Sequence, residues 1–366
     1  MPEEKSKAAP ATPPSAFELV KEIKLPTLVL AADVDPKGER IFAACFDGFI
    51  YEVEIESGKK RTLAKHESYA SGVRYLQNSQ TLISSGYDGQ LIWIDPKSDK
   101  PIREIQAHKF WSWEMDVSAD EKLVGTCTGQ YLAGGYKYEP APETEPGVKV
   151  FDAASGELKW AFSHVPPVLS LAFSPNSKFL AAANMMGEIR IWDLATGKLA
   201  TSWTTPDFTS WGIIKSHHYI GGIYDLSFSP DGNDLLACGM GPMNDPMAGN
   251  GQQRWQRFAW KENPPRKLSQ IKDEDRGNGL METLRFHPSK SVFVMAGRLA
   301  QGKWNAAAFD SSGALLYSLD SKMRNTDSVF LNDGSRLLLA GGTSQEKQKD
   351  GKYPEFGRLK IYKCTV

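Results

Sequence analysis

Residues 66–93 contain side chains that could perform nucleophilic catalysis: His66, Ser85, Asp88 and Trp93. A hydroxyl nucleophile, a histidine base and an orienting carboxylate are the groups that an activated-serine mechanism combines. The sequence carries no G-x-S-x-G elbow, H-E-x-x-H helix or G-x-x-x-x-G-K-[ST] loop. Because buried polar groups normally satisfy one another's hydrogen bonds, a structural network is the alternative, and we favour it.

Metal-binding chemistry finds little support in the spacing of histidines and cysteines. His217 and His218 are adjacent, and neighbours on an extended strand point to opposite faces, so we interpret them as surface loop residues. The cysteines stand far apart, without C-x-x-C or short Cys/His spacing: Cys45, Cys127, Cys238 and Cys364. We predict buried, reduced thiols, typical of a reducing compartment, and no metal or cofactor.

Charge and targeting signals limit the classes of partner. Lys plus Arg total 43 against 44 Asp plus Glu, so no global field would draw the chain to nucleic acid or anionic lipid. The polar start, MPEEKSKAAPATPPS, lacks the apolar stretch of a secretory signal, and no run of about 18 apolar residues follows. We expect a cytoplasmic protein with a disordered tail over residues 1–16; a misassigned start hiding a signal is the alternative.

A repeat organises the rest of the chain. An apolar strand followed by a Ser/Pro/Asp/Gly turn recurs seven times, for example as LAFSPNSKFLAAA and LSFSPDGNDLLACG. Its markers are spaced by about 41 to 58 residues, the length of a propeller blade: Val34, Leu76, Val117, Phe173, Phe228, Phe286 and Phe330. Each unit continues through further strands joined by turns such as Asp-x-x-Ser/Thr-Gly, which is hairpin chemistry.

These units predict an all-β fold: a seven-bladed β-propeller of four-stranded antiparallel blades, forming a single domain over residues 17–366. One such sheet cannot bury both faces alone, and repetition around an axis covers them. The last unit lacks its fourth strand after RLKIYK, while AFELVKEIKLP near the start has no unit of its own. We expect Phe17 to Lys24 to complete the blade that runs from Thr326 to Tyr362, closing the ring.

Three segments resemble WD40 (G-protein β-type) repeats: IWDLATGK at 191–198, GYDGQLIWID at 86–95 and FSPDG at 228–232. The resemblance extends over residues 17–366, although few units keep the family's Gly-His pair. Other aromatic residues occupy the family's Trp position: Phe151, Trp260, Phe309 and Tyr362. The resemblance implies that the polar side chains of residues 66–93 form a buried network that stiffens a blade, and that His108 and His164, at matching positions, are structural too.

Five insertions lengthen the later units. They lie at second-to-third-strand or blade-to-blade connections, which emerge at one end of an up-and-down meander: Gln130 to Gly147, Thr204 to Tyr219, Gly239 to Gln253, Arg298 to Lys303 and Thr343 to Phe356. Long loops on a rigid scaffold are where recognition usually resides. Tolerated surface elaboration is the alternative.

The loops predict a non-catalytic scaffold or adaptor that binds a protein or peptide, since aromatic residues with polar tips often anchor interfaces. Candidate contact residues in or beside them are Trp111, Tyr131, Tyr136, Tyr138, Phe208, Trp211, His217, His218, Tyr219, Trp304 and Tyr353. The alternative is a hydrolase- or lactonase-like propeller enzyme, or a binder of a small ligand or metal, with its site at the channel mouth. Candidates there are Glu114, Asp225 and Asp327, which could also cap backbone groups. Partner identity and oligomeric state stay open.

Overall fold

The computed structural model describes residues 17–98, 100–130, 142–211, 219–245, 250–331, 334–348 and 353–365. Within these ranges the chain forms 29 β-strands and one short 3-10 helix, η1 (Pro206–Phe208). The all-β prediction is confirmed. No helix in the described part is long and apolar enough to cross a bilayer. The predicted tail over residues 1–16 lies outside the described residues.

The chain opens with β1 (Phe17–Leu25), and four antiparallel meanders of four strands follow, consistent with propeller blades. The first two are β2 (Val29–Val34), β3 (Arg40–Cys45), β4 (Phe49–Glu54) and β5 (Lys60–Lys65), then β6 (Ala70–Leu76), β7 (Thr81–Gly86), β8 (Gln90–Ile94) and β9 (Pro101–Gln106). The next two are β10 (Ser112–Val117), β11 (Leu123–Thr128), β12 (Val148–Asp152) and β13 (Leu158–Phe162), then β14 (Val168–Phe173), β15 (Phe179–Asn184), β16 (Glu188–Asp193) and β17 (Lys198–Thr204).

A nine-stranded sheet comes next, where separate four-stranded units were expected. Its strands are β18 (Thr209–Trp211), β19 (Tyr219–Phe228), β20 (Leu235–Asp245), β21 (Asn250–Ala259), β22 (Arg266–Gln270), β23 (Asn278–Phe286), β24 (Val292–Gln301), β25 (Ala306–Asp310) and β26 (Leu315–Leu319). It contains two meanders, β19–β22 and β23–β26, joined by the pairing of Gln252 with Asn278, and β18 is added to β19.

Long strands explain the junction. The strands β20 and β21 contain 11 and 10 residues and β24 contains 10, so they project beyond their meanders and meet the neighbouring one. The prediction of a loop from Gly239 to Gln253 is therefore wrong for most of that segment. It forms an extended hairpin, in which Met243 pairs with Gly251 and Asp245 with Asn250.

The last sheet combines the two ends of the described chain. It contains β27 (Arg324–Leu331), β28 (Arg336–Gly342) and β29 (Gly357–Cys364), with β1 paired antiparallel to β29. The register runs from Phe17 opposite Cys364 to Leu25 opposite Gly357. This is the pairing that the sequence predicts, and it buries Ile23 and Leu25 in a cluster with Val29 and Leu359.

The turn of the IWDLATGK segment shows how the repeat fixes local structure. The Asp193 carboxylate accepts hydrogen bonds from the amides of Ala195 (2.8 Å) and Thr196 (3.2 Å). Gly197 has a φ of +68°, and a Cβ there would lie 2.3 Å from the Trp160 ring of the preceding meander. Glycine is thus needed both for the turn and for the close packing of two sheets.

Among the described residues, the first strand of each meander lines a common central space: β2, β6, β10, β14, β19, β23 and β27. Each contacts the next in this order, and β27 contacts β2. Each also has a bulge, a shift in register with its partner strand, just before an equivalent residue: Ala31, Gly72, Glu114, Ser170, Asp225, Thr283 and Asp327. We call these strands the inner strands.

Side-chain hydrogen bonds join each inner strand to the next. At four junctions a carboxylate accepts the backbone N–H of its neighbour: Tyr75 to Asp33 (2.7 Å), Phe173 to Asp116 (3.0 Å), Leu284 to Asp225 (2.7 Å) and Ala32 to Asp327 (3.0 Å). At the other three junctions hydroxyl groups make the bond: Ser71 to Ser112 O (2.8 Å), Ser170 to Ile223 O (3.2 Å) and Thr283 with Ser328 (2.8 Å). We call all of these the inner-strand bonds.

Truncation of Leu25 tests the packing of β1. Leu25 is fully buried, whereas Leu19 on the same strand is 47% exposed. We expect Leu25→Ala to lower the free energy of unfolding by about 2–5 kcal/mol, because it leaves a cavity in the core. The matched change Leu19→Ala should shift it by less than about 0.5 kcal/mol. Urea denaturation of both variants measures the difference, and equal small effects would contradict the packing of β1.

Candidate functional site

The polar group of residues 66–93 is a buried network. His66 Nδ1 lies 3.0 Å from Asp88 Oδ2, and His66 Nε2 lies 2.9 Å from Ser84 Oγ. The prediction that Ser85 is the hydroxyl partner of His66 is wrong, because Ser85 is hydrogen-bonded to the Ser71 hydroxyl instead. Ser84 is fully buried and His66 nearly so, and neither side chain is open to solvent.

Trp93 does not join this network. Its indole N–H donates to the Ala153 carbonyl of the next meander at 2.6 Å. In strand register Ile94 pairs with Leu82 as Trp192 pairs with Leu180, so Ile94 stands at the position of the IWDLATGK tryptophan. The expectation that Trp93 completes the network is therefore wrong, and its role is to tie two meanders together.

His108 and His164 are buried, and their pKa values are lowered because burial disfavours the charged ring. The pKa of His164 falls to about 3, with the nearby Arg190 adding to the effect. Both rings are therefore neutral near pH 7 and pack inside the protein, which confirms the structural interpretation of these two residues.

A contiguous row of aromatic rings crosses the first three meanders. It consists of Phe46, Tyr69, Tyr87 and Trp111, and we call it the aromatic ladder. Ring centroids lie 3.8 Å apart between Phe46 and Tyr69, 5.4 Å between Tyr69 and Tyr87, and 5.3 Å between Tyr87 and Trp111. The first and last pairs are stacked and the middle pair is tilted, so the rings form one continuous apolar strip.

The ladder is a surface feature. Phe46 is 39% exposed, Tyr69 37% and Trp111 42%, although large apolar side chains are usually covered. Each ring lies in a connection between second and third strands or between meanders. Strand direction alternates in a meander, so these connections share one end of the sheets. The sequence predicts that the five insertions emerge at this same end.

Backbone and carboxylate contacts hold the ladder in place. The Tyr87 amide donates to the Tyr69 carbonyl at 2.8 Å, and Asp88 accepts the Glu67 amide at 2.9 Å. These bonds fix the two tyrosines of one meander against each other. Hydrogen bonds from His66 and backbone amides lower the pKa of Asp88 despite its burial, so the carboxylate stays ionised.

Glu145 holds the loop that carries Trp111. Its Oε1 accepts the amides of Lys109 (2.8 Å) and Phe110 (3.2 Å), and its Oε2 accepts Lys149 Nζ (2.8 Å). Burial alone would raise the pKa of Glu145, but the polar contacts with His108, Lys149 and the Lys109 amide outweigh it and lower the pKa to about 2. An ionised carboxylate from one end of an insertion thus positions the last ring of the ladder.

The candidate contact residues are placed unevenly. Trp111 belongs to the ladder, and Tyr353 is 54% exposed in the connection between β28 and β29. Phe208 and Trp304 are buried and belong to the core, so the prediction that they contact a partner at the surface is wrong. Trp211 and Tyr219 pair with each other across β18 and β19. The remaining candidates lie outside the described residues: Tyr131, Tyr136, Tyr138, His217 and His218.

Sequence reasoning missed Phe46 and Tyr69 as surface residues, and it missed the half-buried Tyr87 that lies beside Tyr69. The search was directed at long insertions, and these rings stand in short connections. A signal was present, because Phe46 and Tyr87 both precede an Asp-Gly turn, while Tyr69 and Trp111 each stand three residues after a histidine. Aromatic residues at equivalent repeat positions in polar connections could have been found by aligning the units.

Beside the ladder, the inner strands line a solvent-open cavity of about 110 Å³ whose wall includes Tyr87 and Trp113. We call it the central cavity. Arg285 crosses it, donating to Asp225 on one side and to Asp327 on the other (3.0 Å). Each of these two acids also accepts a backbone amide of the next inner strand, so both cap backbone groups. Among the described residues, no three His, Cys, Asp or Glu side chains are grouped to hold a metal ion.

Glu114, the third predicted channel-mouth acid, differs from the other two. It stands at the equivalent bulge position and lines the same cavity. Its Oε2 atom is buried without a hydrogen-bond partner. Burial and the neighbouring Asp225 carboxylate raise the pKa of Glu114 well above its ordinary value, although Arg285 and Arg74 oppose this.

The four cysteines are buried and none forms a disulfide, in agreement with the sequence interpretation. Burial raises the pKa of the thiols of Cys45, Cys127 and Cys238 well above the ordinary value. A protonated thiol is a poor nucleophile, so these three side chains serve as small apolar core residues.

Comparison with known proteins gives one family match. A family model described as "WD domain, G-beta repeat" matches residues 156–193, which contain β13 to β16. The "Meiotic recombination protein rec14" of Schizosaccharomyces pombe is 30% identical over 189 residues, covering 49% of this chain and 56% of that protein.

Two further relatives match shorter or more distant stretches. The mouse "WD repeat and HMG-box DNA-binding protein 1" is 33% identical over 93 residues, 25% of this chain and 8% of that protein. The "WD repeat-containing protein SL1-17" of Schistosoma mansoni is 22% identical over 174 residues, 47% of this chain and 52% of that protein. The matched part of the chain therefore spans 56% or less of the length of each of these relatives.

The Glu145 contacts predict a pH-dependent stability. The pKa in the folded chain is about 2 against an ordinary 4.5, so the stabilisation is fully present above about pH 4.5 and is lost as the pH falls through about 2. We expect Glu145→Gln to lower the free energy of unfolding by about 1–3 kcal/mol at pH 7. The difference in the free energy of unfolding between Glu145→Gln and the unaltered protein should shrink towards low pH. Urea denaturation at pH 7 and in acid measures both.

The control for this prediction is Glu157→Gln. Glu157 is an exposed glutamate paired with Lys159, and exposed pairs contribute little to stability. An equal, pH-independent loss in both variants would show that Glu145 has no special role.

Proposed function

Because the chain belongs to the WD40-repeat family, we propose that it is a non-catalytic scaffold or adaptor that binds a protein or peptide on one face. The aromatic ladder carries this proposal. Contiguous exposed apolar strips on a polar surface commonly mark interaction sites. Tyrosine and tryptophan are also the residues most enriched at the centres of protein interfaces.

The scaffold in this proposal is a seven-bladed propeller closed into a ring. Two observations support it: the inner-strand bonds pass from each meander to the next, and they return from Asp327 of β27 to Ala32 of β2. A further bond from Thr326 Oγ1 to the Val29 carbonyl (2.6 Å) joins the same two strands. A closed propeller would hold the aromatic side chains of three separate blades in a fixed stack, whether or not a partner is bound.

The binding face in this proposal combines the ladder with neighbouring insertions. Trp111 and Tyr353 remain as contact residues, joined by Phe46, Tyr69 and Tyr87. The candidates outside the described residues, and Trp211 and Tyr219, stay in the proposal because their segments belong to the insertions at this end. Preformed geometry favours recognition, since little conformational entropy is lost when a partner binds.

A non-catalytic role and a cytoplasmic location complete the proposal. The burial of Ser84 and His66 argues against a hydrolase that uses this group, and Arg285 already occupies two of the channel-mouth acids. Cysteines that are buried without disulfides suit a reducing compartment. Nucleic acid and membrane surfaces are not proposed as partners, because the formal net charge is only -1.

Substitution of the ladder tests the proposal. A partner is recovered by crosslinking and affinity purification from the native cell, then purified and titrated against the full chain. We expect the double change Tyr69→Ala and Trp111→Ala to weaken binding by about 10- to 100-fold, because both are exposed aromatic rings of the ladder that carries the proposed interface.

The matched control removes two side chains of comparable exposure on outermost strands, Leu158→Ala and Leu199→Ala, which are 49% and 51% exposed. The control should bind as the unaltered protein does. Unchanged affinity in the ladder variant, with its melting temperature also unchanged, would place the interface elsewhere.

A further inference from the structure

The charged side chains that line the central cavity form ion pairs, except for one carboxylate. Arg285 binds Asp225 and Asp327, and Arg324 forms a two-pronged ion pair with Glu282 at 2.8 and 3.1 Å. The third arginine of the cavity wall, Arg74, has its guanidinium 3.6 Å from Asp116 on the far side. Each arginine therefore has a carboxylate partner.

Glu114 is the carboxylate of this cavity that has no arginine in direct contact with it. Asp225 and Asp327, at the equivalent bulge positions, are short enough to accept an amide of the next inner strand. Glu114 is one methylene longer, and the junction from β10 to β14 is already made by Asp116 and the Phe173 amide. Its carboxylate is therefore not needed for an inner-strand bond.

Leaving such a group without a direct partner is costly, because the hydration that a buried carboxylate loses is only partly offset by its attraction to Arg285 and Arg74. The cost is recovered when a cation enters and pairs with it. A cationic side chain suits the site better than a free metal ion, because a single carboxylate offers too few ligands for a metal.

The ladder leads directly to this cavity. Tyr87 belongs to both, and its ring lies 5.7 Å from that of Trp113, which lines the cavity wall. Because Phe46 and Tyr69, and likewise Tyr87 and Trp111, stack on each other, each of these rings has one face covered by its neighbour. The strip therefore suits aliphatic or proline side chains better than an aromatic cage for a cation, which needs free ring faces.

We propose that the partner is a peptide segment that lays apolar residues along the aromatic ladder and inserts one lysine or arginine into the central cavity to pair with Glu114. The inference rests on the proposed function and specifies the chemistry of the partner. Its parts are a wide apolar contact for affinity and a single buried ion pair for specificity.

Selection from a random dodecapeptide library on the immobilised full chain tests the inference. We expect the selected peptides to share one lysine or arginine beside apolar or proline residues. A fluorescently labelled peptide from this set is then titrated by anisotropy, together with its analogue in which norleucine or citrulline replaces the basic residue. The analogue should bind the unaltered protein about 10- to 100-fold more weakly.

The same two peptides are titrated against Glu114→Gln and against Glu104→Gln, a change of an exposed glutamate on β9. Glu114→Gln should bind both peptides almost equally, whereas Glu104→Gln should discriminate as the unaltered protein does. Selected peptides without a shared basic residue, or equal discrimination by Glu114→Gln, would overturn the inference while leaving the scaffold proposal intact. Selected peptides whose binding is unaffected by the ladder variant, or no selected peptide at all, would count against both.

Discussion

The hydrogen bonds between neighbouring inner strands are the constraint on which the other features depend. Each meander is a small sheet with its own turns, and by itself it could bury only part of its apolar surface. A carboxylate or hydroxyl side chain on one inner strand binds the next strand, at six junctions through its backbone and at the seventh through the Ser328 hydroxyl, and aspartates make four of these bonds. Arg285 adds a second link by bridging the acids of β19 and β27. The sheets thereby keep fixed positions around the central cavity.

The surface and cavity features follow from this arrangement. The aromatic ladder draws its rings from three meanders, so their stacking persists only if those meanders do not shift relative to one another. Glu114 is unpaired for a related reason: its neighbour Asp116 makes the junction, and the longer side chain is left facing the cavity. One set of contacts stabilises the scaffold, and the side chains that it does not use are available for recognition.

Much of the fold could be predicted from the sequence, because repetition makes weak signals add up. The four-strand pattern, the pairing of β1 with β29 and the equivalence of Glu114, Asp225 and Asp327 all follow from aligned units. Single-residue partners could not be predicted: Ser84 and Ser85 are neighbours on a strand, and only the direction of each side chain decides which one meets His66. The ladder was missed because its rings are distant in sequence and become one strip only when three sheets pack together.

Native-state hydrogen exchange of the inner-strand amides is the most direct test of the proposal that the sheets form a closed ring. The amides of Tyr75, Phe173, Leu284 and Ala32 each bind a carboxylate of the preceding inner strand. In a closed ring all four should exchange only through global unfolding, with equal protection and equal dependence on denaturant. Ala32 reports on the junction between β27 and β2. Exchange of Ala32 through a local opening of lower free energy than the other three would show that the ring is open at this junction and would contradict the account.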